Sequence, residues 1–367
     1  MSKARELAEL GAVYDSGALS NRNLIINGAM QVAQRGTSST GLGGSTGYFT
    51  VDRFEMNPGG TATAGRFTMS QHSDGPDGFA NCLKLDCTTA DTSVAAGERL
   101  ILRHYLEGQN VQSLAKGTSS AKKVTVSFYV KGNAAATYAC SLYDNDNGRS
   151  VSQTFAVTTS WNRIELTFPA DTSGSLNDDN LASLLLDIFL HAGSDYTSGT
   201  LGTSWASNVN ANRAVGISSF FDSTSREFFI TGIQMELGES ATPFEHRSFG
   251  QELALCQRYA YVVKGDDDDH TGYIGYTESV ANARFGVLHP VPMRAAPSFT
   301  FSGTCRAQGG TNDSASFTSG LAIANPNTSN TGATVRVTGT SGMGAADRGY
   351  NLQFKANGSS FIFDAEL

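Results

Sequence analysis

Charge is scarce in this chain. Asp, Glu, Lys and Arg make up 16% of 367 residues, against about a quarter in ordinary globular proteins, which does not suit a long helical protein. Basic residues are fewer than acidic ones, 26 against 34, for a net charge of −8; this argues against nucleic acid as the main ligand, because phosphate binding needs a surplus of Lys and Arg on one face. No run of 18 apolar residues occurs, so no membrane-spanning helix is expected. The opening Met1-Ser2-Lys3-Ala4-Arg5-Glu6 lacks the apolar core of a secretion signal, so export by that route is not expected. The five cysteines (Cys82, Cys87, Cys140, Cys256, Cys305) are scattered, without a C-x-x-C pair, and read as reduced, buried small apolar residues. Catalytic signatures are also missing: there is no Gly-x-Ser-x-Gly elbow, no His-Glu-x-x-His, no phosphate loop and no Cys/His cluster. The six histidines lie far apart, and none has metal-ligand spacing.

What is abundant is Gly (40 residues), together with Ser, Thr and Asn, the composition of short strands joined by many turns. The length is about twice that of a typical domain, so two compact units are expected. Val124, Val126, Phe128 and Val130 alternate along one face. Arg163–Phe168 and Phe228–Met235 repeat the pattern, and Asn57-Pro58-Gly59-Gly60, Asp144-Asn145-Asp146-Asn147-Gly148 and Asp171-Thr172-Ser173-Gly174 punctuate it. The apolar run Leu184–Leu190 fits a central strand. These features predict an all-β chain, a jelly-roll sandwich over residues 23–247. Ser248-Phe249-Gly250-Gln251 has capping-box form and predicts one or two helical turns. These open a segment, 248–367, that ends in a second, smaller β-sandwich domain. Strands are expected there at Arg258–Val263, Tyr273–Tyr276, Arg284–Leu288, Ser298–Phe301, Thr334–Val337, Tyr350–Phe354 and Phe361–Phe363. The stretch Gly309–Gly332 reads as loop or edge material. At the start, residues 1–22 predict a short N-terminal helix whose apolar positions include Leu7 and Leu10. Too short to stand alone in water, it must dock on something.

Four separated blocks are recognisable, in order along the chain. Asn23-Leu24-Ile25-Ile26-Asn27-Gly28-Ala29-Met30-Gln31-Val32-Ala33-Gln34-Arg35-Gly36, followed by Gly47–Phe54, resembles the opening of a family of tail-fibre and appendage proteins of tailed bacteriophages. Ile230-Thr231-Gly232-Ile233-Gln234-Met235-Glu236-Leu237 through Glu245 resembles that family's end-of-sandwich signature, and Gly250–Tyr259 its joint. Pro290–Pro297 and the final Phe363–Leu367 are similar to its distal module, and Ser2–Ala8 to the start of marine and cyanobacterial phage fibre proteins. Phe54 departs from the family's usual Trp. The resemblance implies a sandwich like those of carbohydrate-binding modules. It also implies a virion protein assembled in the host cytoplasm, often a homotrimer at the host-facing tail, with other virion proteins and a host-surface glycan as partners. Leu7 and Leu10 would then dock on the virion. Most block residues read as framework: Asn27-Gly28 as a turn, Arg53 with Glu236 as an ion pair, and Pro243-Phe244 closing the sandwich. A capsid decoration or cement protein, or a tail adaptor, is the rival reading. A polysaccharide depolymerase is a weaker one.

For glycan binding the chemistry asks for exposed aromatic faces with amides and carboxylates nearby. Candidates are Tyr48, Tyr143, Tyr196 and Trp205 in the sandwich and Tyr273 and Tyr276 beyond it, with Trp205 first; Trp161 reads as core. For a metal, the alternating oxygens of Asp144 and Asp146 ahead of Gly148 suit Ca²⁺. A plain hairpin turn competes with that reading. The run Asp266–Asp269 could also gather a cation, against the simpler reading of a solvated loop. No cofactor other than Ca²⁺ is suggested, and no catalytic residue.

Overall fold

A computed structural model describes residues 21–60, 64–309, 314–317, 320–338 and 348–367. The expected N-terminal helix with Leu7 and Leu10 lies outside the described residues. The chain forms two compact units, divided between Glu252 and Leu253.

In the first unit the strands are β1 (Ser38–Leu42), β2 (Glu55–Gly59), β3 (Arg66–His72), β4 (Cys82–Thr89), β5 (Arg99–Glu107), β6 (Val124–Gly132), β7 (Ala136–Asp144), β8 (Arg149–Val157), β9 (Asn162–Phe168), β10 (Ala182–Ala192), β11 (Ala206–Ser207) and β12 (Glu227–Leu237). They form two six-stranded sheets, in the orders β1-β3-β4-β12-β6-β9 and β11-β8-β7-β10-β5-β2. Both sheets feed one apolar core. Phe67, Leu85, Phe128, Phe228 and Ile230 enter it from the first sheet, and Leu102, Leu142, Phe155, Leu186 and Ile188 from the second. Pro58, which cannot donate to a ladder, sits on β2, the edge strand of its sheet. A one-turn helix, α1 (Ser194–Thr197), and a loop follow β10.

The second unit holds β13 (Ala260–Gly265), β14 (His270–Ser279), β15 (Asn282–Leu288), β16 (Ser298–Ser302), β17 (Cys305–Gln308), β18 (Ser314–Phe317), β19 (Leu321–Thr328), β20 (Gly332–Thr338), β21 (Gly349–Phe354) and β22 (Ser359–Asp364). They pair as β13-β22-β16 and as β18-β17-β21-β14-β15-β20-β19. Phe361 and Phe363 of the small sheet meet Phe285, Val335, Leu352 and Phe354 of the large one in a second core. The stretch taken as loop or edge material supplies β18 and β19, the two outermost strands of the large sheet. Helix α2 (Phe249–Gln257) begins at the foreseen capping box: Ser248 Oγ and the Ser248 amide meet Gln251 Oε1 at 2.9 and 3.0 Å.

The opening block and the end-of-sandwich block meet in one clasp. Gly232 takes φ +62° in β12, where the pairing with β6 slips between Thr231 and Gln234. The bulge turns Ile233's peptide groups away from the ladder. The opening segment takes them up: Ile233 N–H donates to Gly28 O at 3.0 Å, and Asn23 Nδ2 donates to Ile233 O at 3.1 Å. A Cβ on Gly28 would collide with that same Ile233 oxygen, so the position excludes any larger residue. Asn27, at φ +62°, receives the Val32 amide and donates to the Val32 and Asp52 carbonyls. Glu236 instead accepts from Thr242 and Gln234, and Arg53 donates to Tyr105 O, so the pairing expected between Arg53 and Glu236 is replaced by these contacts.

Candidate functional site

Along β10, Leu184, Leu186, Ile188 and Leu190 point into the core, so Leu185, Asp187 and Phe189 occupy the sheet's other face. The same alternation puts Arg103 and Tyr105 of β5, and Ser141 and Tyr143 of β7, on that face. Register then aligns two rows across the strands. Tyr105 and Tyr143 are both partners of Leu185, and Arg103 and Ser141 are both partners of Asp187, with Glu55 of β2 beyond Arg103. Strands lie about 4.8 Å apart, so the two tyrosines stand roughly 10 Å apart with the leucine between them.

The second row is an ion cluster. Arg103 grips Asp187 through two hydrogen bonds, Nε to Oδ1 at 2.6 Å and NH2 to Oδ2 at 2.9 Å. Arg213, from the loop after α1, adds NH2 to Asp187 Oδ2 at 2.7 Å and reaches Ser141 Oγ at 3.2 Å. Asp187 is fully buried. Burial pushes its carboxyl up, but the two guanidinium groups outweigh that and hold it below the usual carboxylate range. Glu55 goes the other way: burial raises it, against lowering by Asn57, Arg103 and Tyr105. Tyr105 Oη donates to Glu55 Oε2 at 3.2 Å.

The cluster also fixes the aromatic rings. The Arg213 guanidinium lies 5.0 Å from the Tyr143 ring centroid, and that of Arg103 5.5 Å from Tyr105, within cation–π range. Both tyrosines are half-buried, so each offers part of a rigid ring to solvent beside fixed hydrogen-bonding groups. Two flat apolar surfaces, spaced along a strip and bordered by amide, hydroxyl and guanidinium groups, are suited to stacking against sugar rings. Hydrolysis is a poorer match. It needs a protonated acid and a second, available carboxylate, and Asp187 is committed to two arginines.

Two sequence candidates come to this face: Tyr143, half-buried, and Tyr196, whose ring packs over Phe189 and covers that end of the face. Trp205 was the first choice, but its ring packs against the core, its Nε1 donates to Pro169 O at 2.9 Å, and Lys116 Nζ lies 5.0 Å from it. Tyr196 is buried, with its hydroxyl 2.6 Å from Arg99 NH1. Tyr48 is half-buried beneath the Arg35 guanidinium, 5.3 Å away. Tyr273 is 8% exposed and stacks on Phe361, which corrects its reading as an exposed ring. Tyr276 is 48% exposed on β14. Trp161 is half-buried rather than core, edge-on to Phe229.

The metal candidates divide. Asp144 is fully buried and its carboxylate receives Lys116 Nζ, so an internal cation already stands where Ca²⁺ was considered. Asp146 accepts the Asn177 amide at 2.9 Å. In the acidic run, Asp267 and Asp268 pair with Lys355 at 2.8 and 2.6 Å. Among the described residues no group of three or more His, Cys, Asp or Glu side chains is arranged to hold a metal ion. No helix among them is long and apolar enough to cross a membrane.

Arg103, Tyr105, Asp187, Arg213 and Glu55 were missed. Their signal was present in part: Arg103-His104-Tyr105 follows directly on the apolar Leu100-Ile101-Leu102, and Asp187 interrupts an apolar run. Charges inside buried strands need partners, and these two segments supply each other's.

No family model matches the chain, and no curated protein does. Among solved structures it is similar to a family 30 carbohydrate-binding module (10% identity, TM-score 0.30, 64% of this chain and 97% of that one). A family 61 module in complex with β-1,4-galactotriose is also similar (8%, TM-score 0.29, 59% and 100%). So is the family 11 module from Clostridium thermocellum in complex with a β-1,3-1,4-mixed-linked tetrasaccharide (12%, TM-score 0.28, 57% and 98%). Likeness at these scores carries no inference about what this chain binds.

Proposed function

We propose that this chain is a non-catalytic recognition protein that binds host-surface polysaccharide across the outer face of its second sheet, as a tail-fibre or tail-appendage subunit of a tailed bacteriophage. The observation that carries the binding reading is the row Tyr105–Leu185–Tyr143 beside the Arg103–Asp187–Arg213 cluster. The rings supply apolar stacking surface, and the ion cluster fixes their orientation before a ligand arrives, which lowers the ordering cost of binding. The virion reading is supported by the opening and closing sequence blocks, whose residues build the clasp between Asn23–Gly28 and β12. As a homotrimer on a tail, three weak sites would reinforce one another through effective concentration. The test is a glycan array or polysaccharide titration with the native chain and with Tyr143→Ala; loss of binding in the variant at unchanged melting supports the reading.

A structural role, as capsid decoration or tail adaptor, is favoured by one feature of the second unit. Leu288 and Ile274, 83% and 72% exposed, stand on one face of the large sheet, bordering a groove with Gly272, Gly286 and Gly332. Exposed apolar patches commonly mark protein contacts. Antibody labelling of particles separates the readings: tail periphery for the fibre, head surface for the decoration protein.

A further inference from the structure

Lys116 is buried, and its ammonium group is enclosed by oxygen. Nζ is paired with Asp144 Oδ2, lies 2.9 Å from Asp171 Oδ2, and is 3.0 Å from each of the backbone carbonyls of Ser173 and Gly174. An ammonium has three protons, yet four oxygens converge on it, and the Trp205 ring closes a further side at 5.0 Å. The carboxylates are held from behind. Asn147 donates its side-chain amide to both oxygens of Asp144 at 3.0 and 3.1 Å, and Arg149 bonds Asp171 at 2.8 and 2.9 Å. Burial pushes Asp171 up, but Arg149 and Lys116 hold it below its ordinary range.

Two carboxylates and two carbonyls, preset by turns, are the donor set of a hard divalent cation. Against the cage lies a cavity of about 20 Å³, where Lys116, Asp171 and Trp205 meet the apolar side chains of Leu142, Phe168 and Leu184. We propose that this is a cation site in which the protein's own ammonium takes the place of Ca²⁺, so that removing the ammonium converts the cage into a Ca²⁺ site. The cage joins the segment before β6, the end of β7 and the loop after β9, so Lys116 does here what a structural metal would do. The sandwich is thereby independent of free Ca²⁺. This inference does not rest on the glycan reading, since the cage and the tyrosine row share no residue.

Lys116→Met tests it. With the full chain, Tb³⁺ luminescence on tryptophan excitation should appear in Lys116→Met, because Trp205 lies against the cage. Added Ca²⁺ should displace the signal, and Ca²⁺ should raise the variant's melting temperature by several degrees. Neither effect should occur in the native chain. Lys116→Met with Trp205→Phe should lose the emission and keep the Ca²⁺ stabilisation. If Lys116→Met is unfolded without metal, recovery of the fold in Ca²⁺ supports the proposal. A folded variant with no Tb³⁺ emission and no response to Ca²⁺, or an unfolded one that Ca²⁺ fails to rescue, overturns it.

Discussion

Asn23 Oδ1 accepts the amide of Met235 at 3.0 Å across 212 residues of chain, which ties the start of the sandwich to its last strand. The same oxygen takes the Ile25 amide at 2.9 Å, while the Asn23 amide nitrogen donates to Ile233 O. Asn23→Ala leaves these buried backbone groups without partners, each worth about 1–3 kcal/mol. The expected total is about 3 kcal/mol, a drop of roughly 6–12 °C in the first unit's melting temperature. Calorimetry of the variant checks it; an unchanged transition would mean the clasp contributes nothing.

Much of the fold could be read from the chain because its central strands bury one face or both. Val124–Val130 shows the alternation directly, Leu184–Leu190 shows the continuous apolar run of a strand covered on both sides, and Phe228–Met235, expected to alternate, is buried throughout and broken by the bulge at Gly232. The helix after residue 248 announced itself through Ser248 and Gln251. The edge strands β18 and β19 were harder, since an outermost strand buries little and its sequence looks like loop. The site was legible only in fragments. Tyr143 was visible as an aromatic residue, but its partners depend on register: Arg213 reaches Ser141 from 72 residues away, and no local pattern announces that. Asp144 was visible as an acidic side chain, but its partner Lys116 lies 28 residues earlier, which no local pattern shows.

Trp205 is a packing residue, and its variant separates stability from recognition. Trp205→Ala removes a ring packed on the core and over Lys116, and should cost about 2–3 kcal/mol, toward the low end for a large-to-small change because the ring is only half-buried. Melting should fall by several degrees, with polysaccharide affinity within about twofold of native well below the transition. A selective loss of binding at unchanged melting would put Trp205 back in the site.

Acid should weaken the first unit before the carboxylates titrate. His104 is completely buried, and burial, then Arg53, holds its imidazole well below the ordinary value. His191 is lowered as well, by burial, against the pull of Glu98. A lowered folded pKa means that the unfolded chain takes up the proton first. The stability is therefore complete above about pH 6.5 and declines as the pH falls further, by up to about 1.4 kcal/mol per pH unit for each histidine. Below about pH 4, Asp187 and Asp171, also lowered, add to the loss. Urea midpoints across this range, native against His104→Phe, measure it. The variant should start less stable, since the Ile26 backbone loses its contact with the ring at 3.3 Å, and should show a flatter slope between about pH 6.5 and 5. Equal slopes would show that His104 is not responsible.

Sugar is proposed to bind on the outer face of the second sheet, beside Tyr105 and Tyr143. Titrating purified polysaccharide from a susceptible host into the native chain, Tyr105→Ala, Tyr143→Ala and the control Tyr276→Ala tests this directly. Binding should weaken about tenfold (about 1.4 kcal/mol) in each of the first two variants, and stay at the native level in the control. Native-level affinity in a folded Tyr105→Ala/Tyr143→Ala double variant would contradict it.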